Sequence, residues 1–533
     1  MTTSDEVGAS GGVHAAAAGS CMADDDFEGA RDHWELAFHQ LRESGDVRGA
    51  ARVAAELAGL HVSAWGNRAV GRGWIDRGRR VLGATDHCVE DGYLALAVLG
   101  CDQLDVDALE EAAERALSLA VEFSDPLLEV RALSESGFAL VAQGHLAEGF
   151  ARLDEAMTAV TAGDVANLGV AAKCFCAMLS ACDRCGELRR AQEWTSVVSS
   201  FAARHGDRPR ILHTHCRAVY GSLMSNLGRW PEAEKAMLEA LAPGASQALN
   251  HRVETAAHLA DLWVRQGRFA EAEELLGPFE DRVDCCAPLA RLYLARGGET
   301  ELAVAVIERG LDELVGDRVR TATLLALLVE AELGCDRVDA ATEAARRLSA
   351  LVALVDSPLL RAEAALAAGK VASAVGDTQS AIELFSNALR GLVDQDRPLL
   401  AGLVHLERAR ARSDADEPAR AVSDGRAALA LFERVGAGRD ADRAAALLRS
   451  LGDRVRTYRR EGVDSALSPR EHDVLDLLCQ GLSNAEIATR LYISPKTAEH
   501  HVSAVLFKFG VHTRGEAVAL VARPLPHTDP AHD

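Results

Sequence analysis

The sequence has few aromatic residues, few cysteines and no long uncharged apolar run. Only 5% of its 533 residues are aromatic although 48% are hydrophobic, and alanine and leucine are abundant. Because β-branched and aromatic runs are scarce, the composition favours helices and argues against an all-β fold. No window approaches 18 uncharged apolar residues, so we expect no transmembrane helix and no membrane partner.

Signs of export are also missing. Residues 1–22 contain no lysine or arginine ahead of an apolar core, as a secretory signal would require, and we expect a disordered tail there. Twelve cysteines in 533 residues are too few for a disulfide scaffold. We therefore expect a soluble, cytoplasmic protein with reduced thiols.

Basic residues are outnumbered, with 57 lysines and arginines against 80 aspartates and glutamates and a net charge of −23. Such a chain repels DNA and anionic membranes as a whole. Any contact with nucleic acid must therefore be made by one small part of it.

What the sequence does contain is a repeated pair of helical segments joined by a short turn with glycine or aspartate. The clearest turn glycines lie 30 to 42 residues apart, at Gly144, Gly186, Gly228, Gly267, Gly297, Gly334 and Gly376. A glycine at such a turn takes a left-handed conformation that ends one helix. The period predicts about nine or ten helix hairpins stacked as an α-solenoid over residues 23–454.

These hairpins resemble tetratricopeptide repeats, with Gly228, Trp230, Ala233 and Ala236 placed much as in that motif. Solenoids mostly present a concave binding surface, so we expect the array to sense a small-molecule effector or to bind a protein partner. A scaffold that binds no ligand is the alternative.

After a linker at residues 455–466, residues 467–523 contain four helix-start signals, at Ser468, Ser483, Ser494 and Thr513. Three have the S/T-x-x-E form of a capping box, and two are followed by proline at the first helical position. They predict four short helices at about 469–480, 484–491, 495–509 and 514–522. Residues 524–533 are expected to form a disordered tail.

The third of these helices has two distinct faces. Ala498, Val502, Val505 and Phe509 recur at helical spacing and predict a buried stripe. A helix, a tight turn and a second helix with a polar outer face form a helix-turn-helix, whose recognition helix enters the major groove. The predicted DNA-binding residues are Lys496, Thr497, Glu499, His500, Ser503 and Lys508, with Thr497 and Lys508 assigned to phosphates.

This segment closely resembles the DNA-binding domain of LuxR-type transcriptional regulators. The pattern is matched by Leu467, Arg470, Glu471, Val474, Leu475, Gly481, Ser483, Asn484, Glu486, Ile487, Ala488, Leu491, Ile493, Ser494, Thr497, His501, Lys508, Gly510, Val511, Arg514 and Ala517. The array before it resembles the repeat region of large actinobacterial regulators of this type, without their nucleotide-binding module. The resemblance implies double-stranded DNA as a partner.

Two positions depart from the LuxR pattern. Glu499 stands where the family often has a basic residue, and Ala498 replaces the more usual valine. A carboxylate in the groove accepts from cytosine but repels phosphate, so Glu499 favours specificity over affinity.

We also expect a homodimer on DNA through an apolar face of the last helix, at Ala517, Leu520 and Val521.

Other motifs are weaker. Gly436 begins a G-x-G-x-x-A pattern, but a helix precedes it where a dinucleotide-binding fold needs a strand. A thiol and imidazole cluster has spacings that would suit zinc, although we interpret it as packing. Its members are Cys174, Cys176, Cys182, Cys185, His213, His215 and Cys216. No catalytic set can be assembled, and we expect no enzymatic activity, metal or cofactor.

The sequence thus predicts an all-α transcriptional regulator: a tetratricopeptide-like α-solenoid followed by a C-terminal four-helix helix-turn-helix domain. The competing interpretation is a helical-repeat adaptor whose main role is protein binding and whose DNA contact is secondary or lost.

Overall fold

A computed structural model describes residues 4–83, 87–101, 105–165, 167–204, 210–243, 245–393, 395–453, 469–479, 482–491 and 493–508. Their regular elements are all helical, which confirms the predicted all-α class. The chain divides into two compact units, Met1–Asp453 and Arg454–Asp533. None of the described helices is both long enough and apolar enough to cross a membrane.

The first unit is a succession of helices joined by short turns. In chain order they are α1 Ser4–Ala23, α2 Phe27–Ser44, α3 Val47–Trp65, α4 Arg68–Leu82, α5 Val89–Cys101, α6 Val106–Phe123, α7 Pro126–Gln143, α8 Leu146–Ala162, α9 Leu168–Cys185, α10 Leu188–Arg204, α11 Arg210–Asn226, α12 Trp230–Leu241, α13 Leu249–Gln266, α14 Phe269–Leu276, α15 Cys286–Arg296, α16 Thr300–Glu313, α17 Arg318–Gly334, α18 Val338–Val352, α19 Pro358–Ala374, α20 Thr378–Gly391, α21 Pro398–Asp414, α22 Pro418–Val435 and α23 Gly438–Ser450. Two 3₁₀ turns, Gly277–Phe279 and Val283–Cys285, lie between α14 and α15.

Consecutive helices of this array pair as antiparallel hairpins, beginning with α1 and α2 and ending with α21 and α22. The described residues therefore contain eleven hairpins and a final helix, α23, rather than nine or ten hairpins. Six of the seven turn glycines have positive φ, as predicted. The prediction is wrong for Gly334, which lies inside α17, because Asp336 takes the left-handed conformation in that turn, with φ of 58°.

The N-terminal segment differs from its prediction as a disordered tail. Residues 4–22 lie in α1, whose Ala18 is fully buried against α2. An alanine-rich sequence has high helix propensity, and its small side chains let two helices approach closely. Gly11 lies so near Leu41 that a Cβ there would come within 2.8 Å of its Cγ.

Odd-numbered helices from α3 onward contact one another in series and form the inner layer of the array. This layer closes on itself: α3 contacts α13, and α7 contacts α17, ten helices later. The Nη1 atom of Arg318 donates to the carbonyl of Gln143 at 2.8 Å across this closure. Side chains on the inner faces are therefore packed against other helices instead of facing open solvent.

The second unit contains α24 Pro469–Cys479, α25 Asn484–Arg490 and α26 Pro495–Lys508. These bounds agree with the first three of the four predicted helices. The predicted fourth helix, the linker at 455–466 and the tail at 524–533 lie outside the described residues.

Candidate nucleic-acid interface and inner cavity

The three described helices of the second unit enclose a small apolar core. Its buried members are Val474, Leu475, Leu477, Leu478, Ile487, Ala488, Ala498, Val502 and Val505. The stripe predicted on α26 is confirmed at Ala498, Val502 and Val505, and Phe509 lies outside the described residues. Burial of this stripe fixes which face of α26 points outward.

Two side-chain caps fix where α25 and α26 begin. Ser483 and Glu486 form the predicted capping box: the Ser483 N–H donates to Glu486 Oε2 at 2.7 Å, and the Glu486 N–H donates to Ser483 Oγ. These bonds lower the pKa of the Glu486 carboxyl. At α26 the Thr497 N–H donates to Ser494 Oγ at 3.1 Å. The predicted caps at Ser468 and Thr513 lie outside the described residues.

The outward face of α26 carries five of the six predicted DNA-binding residues. The side chains of Lys496, Thr497, Glu499, His500 and Ser503 are all exposed. Among the described residues, neither Lys496 nor Glu499 has an ion-pair partner, so both charges remain available. The helix extends to Lys508, but the side chain of that residue lies outside the described set.

The sequence of this unit matches known proteins. Residues 465–521 match the family model described as "Bacterial regulatory proteins, luxR family". The spore germination protein GerE of Bacillus subtilis is 42% identical over 57 residues, which are 11% of this chain and 77% of GerE. The chain belongs to the LuxR family of bacterial regulatory proteins.

Other matches cover a small part of a longer relative or show the fold alone. An HTH-type transcriptional regulator of Mycobacterium tuberculosis is 41% identical over 75 residues, 14% of this chain but only 8% of that protein. The chain thus spans less than a tenth of that relative. The crystal structure of the APC/C hetero-tetramer Cut9–Hcn1 aligns with a TM-score of 0.51 over 83% of this chain and 85% of its own, at 14% identity. That alignment supports the helical-repeat solenoid.

Within this LuxR domain, the two departures from the family pattern have different environments. Ala498 is fully buried, so the smaller side chain is accommodated in the core, whereas Glu499 is exposed beside His500. A third residue, Arg490, was not singled out from the sequence. It is exposed in the last turn of α25, and the described residues offer it no ion-pair partner. The dimer contact predicted at 514–522 lies outside the described residues.

The LuxR domain is preceded by an array that encloses a cavity between its inner helices. Two adjoining volumes of about 260 and 270 Å³ share a wall formed by Asn226, Arg265, Arg291, Thr323, Leu359, Glu363 and Arg397. One side is rich in charged groups. The other is lined by Leu327, Leu366, Leu399, Leu400 and Leu403. The cavity is therefore amphipathic.

Most charges in this cavity are paired. Asp261 accepts from Arg291 at 2.7 Å and also pairs with Arg265. Arg397 and Glu363 are exceptions, because neither side chain has a hydrogen bond or an ion pair with the described residues. Asp183 Oδ1 and Arg184 Nη1 are also buried without a hydrogen bond.

Burial has opposite effects on the two charged groups that face each other here. It raises the pKa of the Glu363 carboxyl, against the pull of Arg291 and Arg397. It lowers the pKa of the Arg397 guanidinium, although Asp183 and Glu363 oppose the shift. Arg397 is therefore a cationic group in this wall without a hydrogen-bonded carboxylate among the described residues. No local sequence signal identifies Arg397, because it reaches the cavity only through the closure of the array.

Proposed function

We propose that this chain is a sequence-specific DNA-binding transcriptional regulator whose helical-repeat array binds an effector. The observation that carries the first half is the outward face of α26, where unpaired polar side chains lie opposite a buried apolar stripe. Family membership supports the major groove as the place where this face binds. Lys496, Glu499, His500 and Ser503 read base edges, and Thr497 and Lys508 contact phosphates.

The roles of individual residues follow from their chemistry. Glu499 accepts a hydrogen bond from a cytosine amino group, and each well-placed base contact contributes roughly 1 to 3 kcal/mol of discrimination. Lys496 and Arg490 add positive charge near the phosphates. Because the whole chain is strongly acidic, these few cations control the encounter with DNA.

The test is a selection of random duplexes by the purified chain, followed by binding of the preferred duplex to variants. Glu499→Ala should change the preferred sequence, whereas Lys496→Ala should also reduce the salt dependence of binding by about one ion. Asp473→Ala is the matched control, because it removes one exposed carboxylate from α24 without touching α26. Unchanged affinity and preference in both α26 variants would refute the assignment and favour the adaptor interpretation.

The second half of the proposal is that the effector is an organic anion with an apolar portion. Its carboxylate or phosphate would pair with Arg397, and its apolar part would lie on the leucine-lined side. The free guanidinium of Arg397 supports this choice, because a half-buried polar group without a partner is costly. A ligand that binds one arrangement of the array better than another shifts DNA occupancy.

A series of straight-chain carboxylates from butyrate to decanoate, with the matching alcohols, tests this site. The carboxylates should raise the melting temperature of the full chain and change its affinity for the selected duplex, while the alcohols should not. Arg397→Gln should abolish both effects, and Arg346→Gln, on the exposed surface, should not. Equal responses to acids and alcohols would exclude anion recognition at Arg397.

Dimeric binding on DNA is a further part of the proposal. Two α26 helices related by a two-fold axis would require inverted half-sites about one helical turn apart. A footprint covering a single half-site, unchanged by Leu520→Asp, would contradict it.

A further inference from the structure

Three side chains with metal-ligating atoms meet inside the array, beside the cavity between the inner helices, which Glu254 also lines. Cys176 on α9, His215 on α11 and His251 on α13 place one such atom each within 4.8 Å of the other two. The imidazole rings of His215 and His251 have centroids 4.8 Å apart and planes inclined by 39°. The cluster therefore joins three consecutive inner helices from three hairpins.

Four other cysteines belong to the sequence cluster, of which the half-buried Cys216 is not among the three residues that meet here. Cys174, Cys182 and Cys185 are buried in the apolar core, and burial raises the pKa of each thiol. This confirms the packing role expected for them. The side chain of His213 lies outside the described residues.

One nitrogen of His215 is already engaged by a carboxylate. Its Nε2 lies 3.1 Å from Glu254 Oε2 and 3.2 Å from Ser180 Oγ, and Ser180 in turn donates to Glu254 Oε1 at 3.2 Å. A carboxylate bound to one ring nitrogen fixes the tautomer and leaves the lone pair on the other nitrogen. This is the usual outer-shell arrangement around metal-ligating histidines.

The other nitrogen, Nδ1, has no hydrogen-bond partner among the described residues, although His215 is 1% exposed. Nδ1 of His251 is likewise buried without a partner. Two unsatisfied imidazole nitrogens beside one thiol are costly in a packed interior, because buried polar atoms normally find partners. A bound cation would satisfy both.

The third ligand atom of the cluster is the Sγ of Cys176. The thiolate is the form of cysteine that binds metals.

We propose that Cys176, His215 and His251 bind a zinc ion, with Glu254 as the positioning residue that orients His215. One thiolate and two imidazoles suit zinc, whose bonds to sulfur and nitrogen are about 2.3 and 2.0 to 2.1 Å long. In a tetrahedral site these lengths place neighbouring ligand atoms about 3.4 to 3.6 Å apart. The cluster closes to that spacing by small side-chain movements, and the fourth position is left to water.

Binding has two consequences for the array. The Cys176 proton is released as the zinc–sulfur bond forms, and α9, α11 and α13 become linked through one ion. Because the unfolded chain does not bring these residues together, zinc stabilises the folded array.

The test uses the full chain, purified without a metal-affinity tag, stripped with a chelator and dialysed against buffered zinc. We expect one zinc per chain, a higher melting temperature with zinc, and affinity reduced at least about tenfold by Cys176→Ser and by His251→Gln. Glu254→Gln should weaken binding by about 10- to 100-fold as an outer-shell change. Cys335→Ser, at a half-buried thiol in a distant turn, is the matched control.

Cobalt gives an independent readout, because a thiolate ligand adds a sulfur-to-cobalt charge-transfer band. That band should be present in the wild type and in Cys335→Ser, and absent in Cys176→Ser. His251→Gln alters a half-buried side chain, so it keeps the test valid if Cys176→Ser fails to fold. The proposal is overturned if the wild type takes up no zinc, if neither variant changes uptake, or if only copper or nickel binds.

Discussion

The two units of this protein differ in the exposure and ion pairing of the charged side chains that characterise them. In the array, several charges are buried and paired: Asp424, which is 3% exposed, accepts from His405, Arg408 and Arg412. On α26 of the LuxR domain, the charges of Lys496 and Glu499 are exposed and unpaired. Paired buried charges hold a structure together, whereas free exposed charges are available to a partner. Arg397 and the cluster around Cys176 stand out because they break the first pattern inside the array.

Lowering the pH should produce the largest difference in stability between the two units. Neighbouring cations lower the pKa of five carboxyls of the array, the buried Asp424 and the half-buried Glu56, Glu254, Asp261 and Glu330. A lowered pKa contributes stability above the unfolded value of about 4, and that stability is lost as pH falls through the folded value. Glu135 and Glu363, whose pKa is raised by burial, act in the opposite direction but are fewer.

The melting temperature of the array, followed by calorimetry, should therefore fall steeply below about pH 4. In the LuxR domain, hydrogen bonds lower the pKa of Glu486, whose carboxyl is exposed, so the transition of this domain should change less. Equal acid sensitivity of the two transitions would show that the buried pairs do not dominate.

Among these substitutions, removing one buried carboxylate should cause the largest loss in the free energy of unfolding. Asp424→Asn leaves Arg408 and Arg412 with an uncompensated buried charge, which costs about 3 to 5 kcal/mol. For a cooperative unit of this size that corresponds to a fall of about 3 to 5 °C in melting temperature. Glu343→Gln, which breaks an exposed pair with Arg346, should leave the melting temperature unchanged. A comparable loss in both variants would argue against burial as the cause.

Two turn glycines allow the closure of the array to be measured separately from backbone strain. Gly144 and Gly163 have φ of 93° and 94°, so alanine strains both equally, by about 1 to 2 kcal/mol. A Cβ at Gly144 would lie 2.5 Å from Val355 Cγ2, whereas one at Gly163 meets nothing within 4 Å. Gly144→Ala should therefore cost about 1 to 3 kcal/mol more than Gly163→Ala in thermal unfolding. If the two variants melt together, Val355 is not in firm contact.

A smaller loss in the free energy of unfolding is expected for a substitution in the LuxR domain. Ser483→Ala removes the cap of α25 and should cost about 1 kcal/mol, or about 4 to 8 °C for a domain of this size. Ser503→Ala, which removes a hydroxyl from the exposed face of α26, is the stability control. When sequence preference on DNA is measured, Ser503→Ala should change the preference and Ser483→Ala should not.

Local features of the fold could be predicted from the sequence because their causes are local. Turn glycines such as Gly144, the capping box at Ser483 and the stripe through Val502 depend on residues within one or two helical turns. The same holds for the exposed face of α26, and family resemblance added its role. The expected disordered tail is wrong for residues 4–22, because the lack of a secretory signal says nothing about helix formation and α1 is stabilised by close packing on α2.

The inner sites could not be predicted, because they depend on how small rotations between hairpins accumulate. Cys176 and His215 belong to the thiol and imidazole cluster of the sequence, but His251 lies in the next inner helix and joins them only in three dimensions. Arg397, just before α21, reaches the cavity beside Gly186, which ends α9. Neither His251 nor Arg397 lies in a sequence motif that distinguishes it from other half-buried residues.

The contacts between helices ten apart also change how this array should come apart. In an open solenoid each repeat touches only its neighbours, so unfolding can start at an end and proceed repeat by repeat. Here α3 and α13, and α7 and α17, connect segments far apart in the chain. Fraying of the first hairpins removes support from the middle ones, so partial unfolding is penalised. Such long-range contacts raise the contact order, so the array should refold slowly. When the array is pulled from its ends, we expect a few large unfolding steps instead of many small ones.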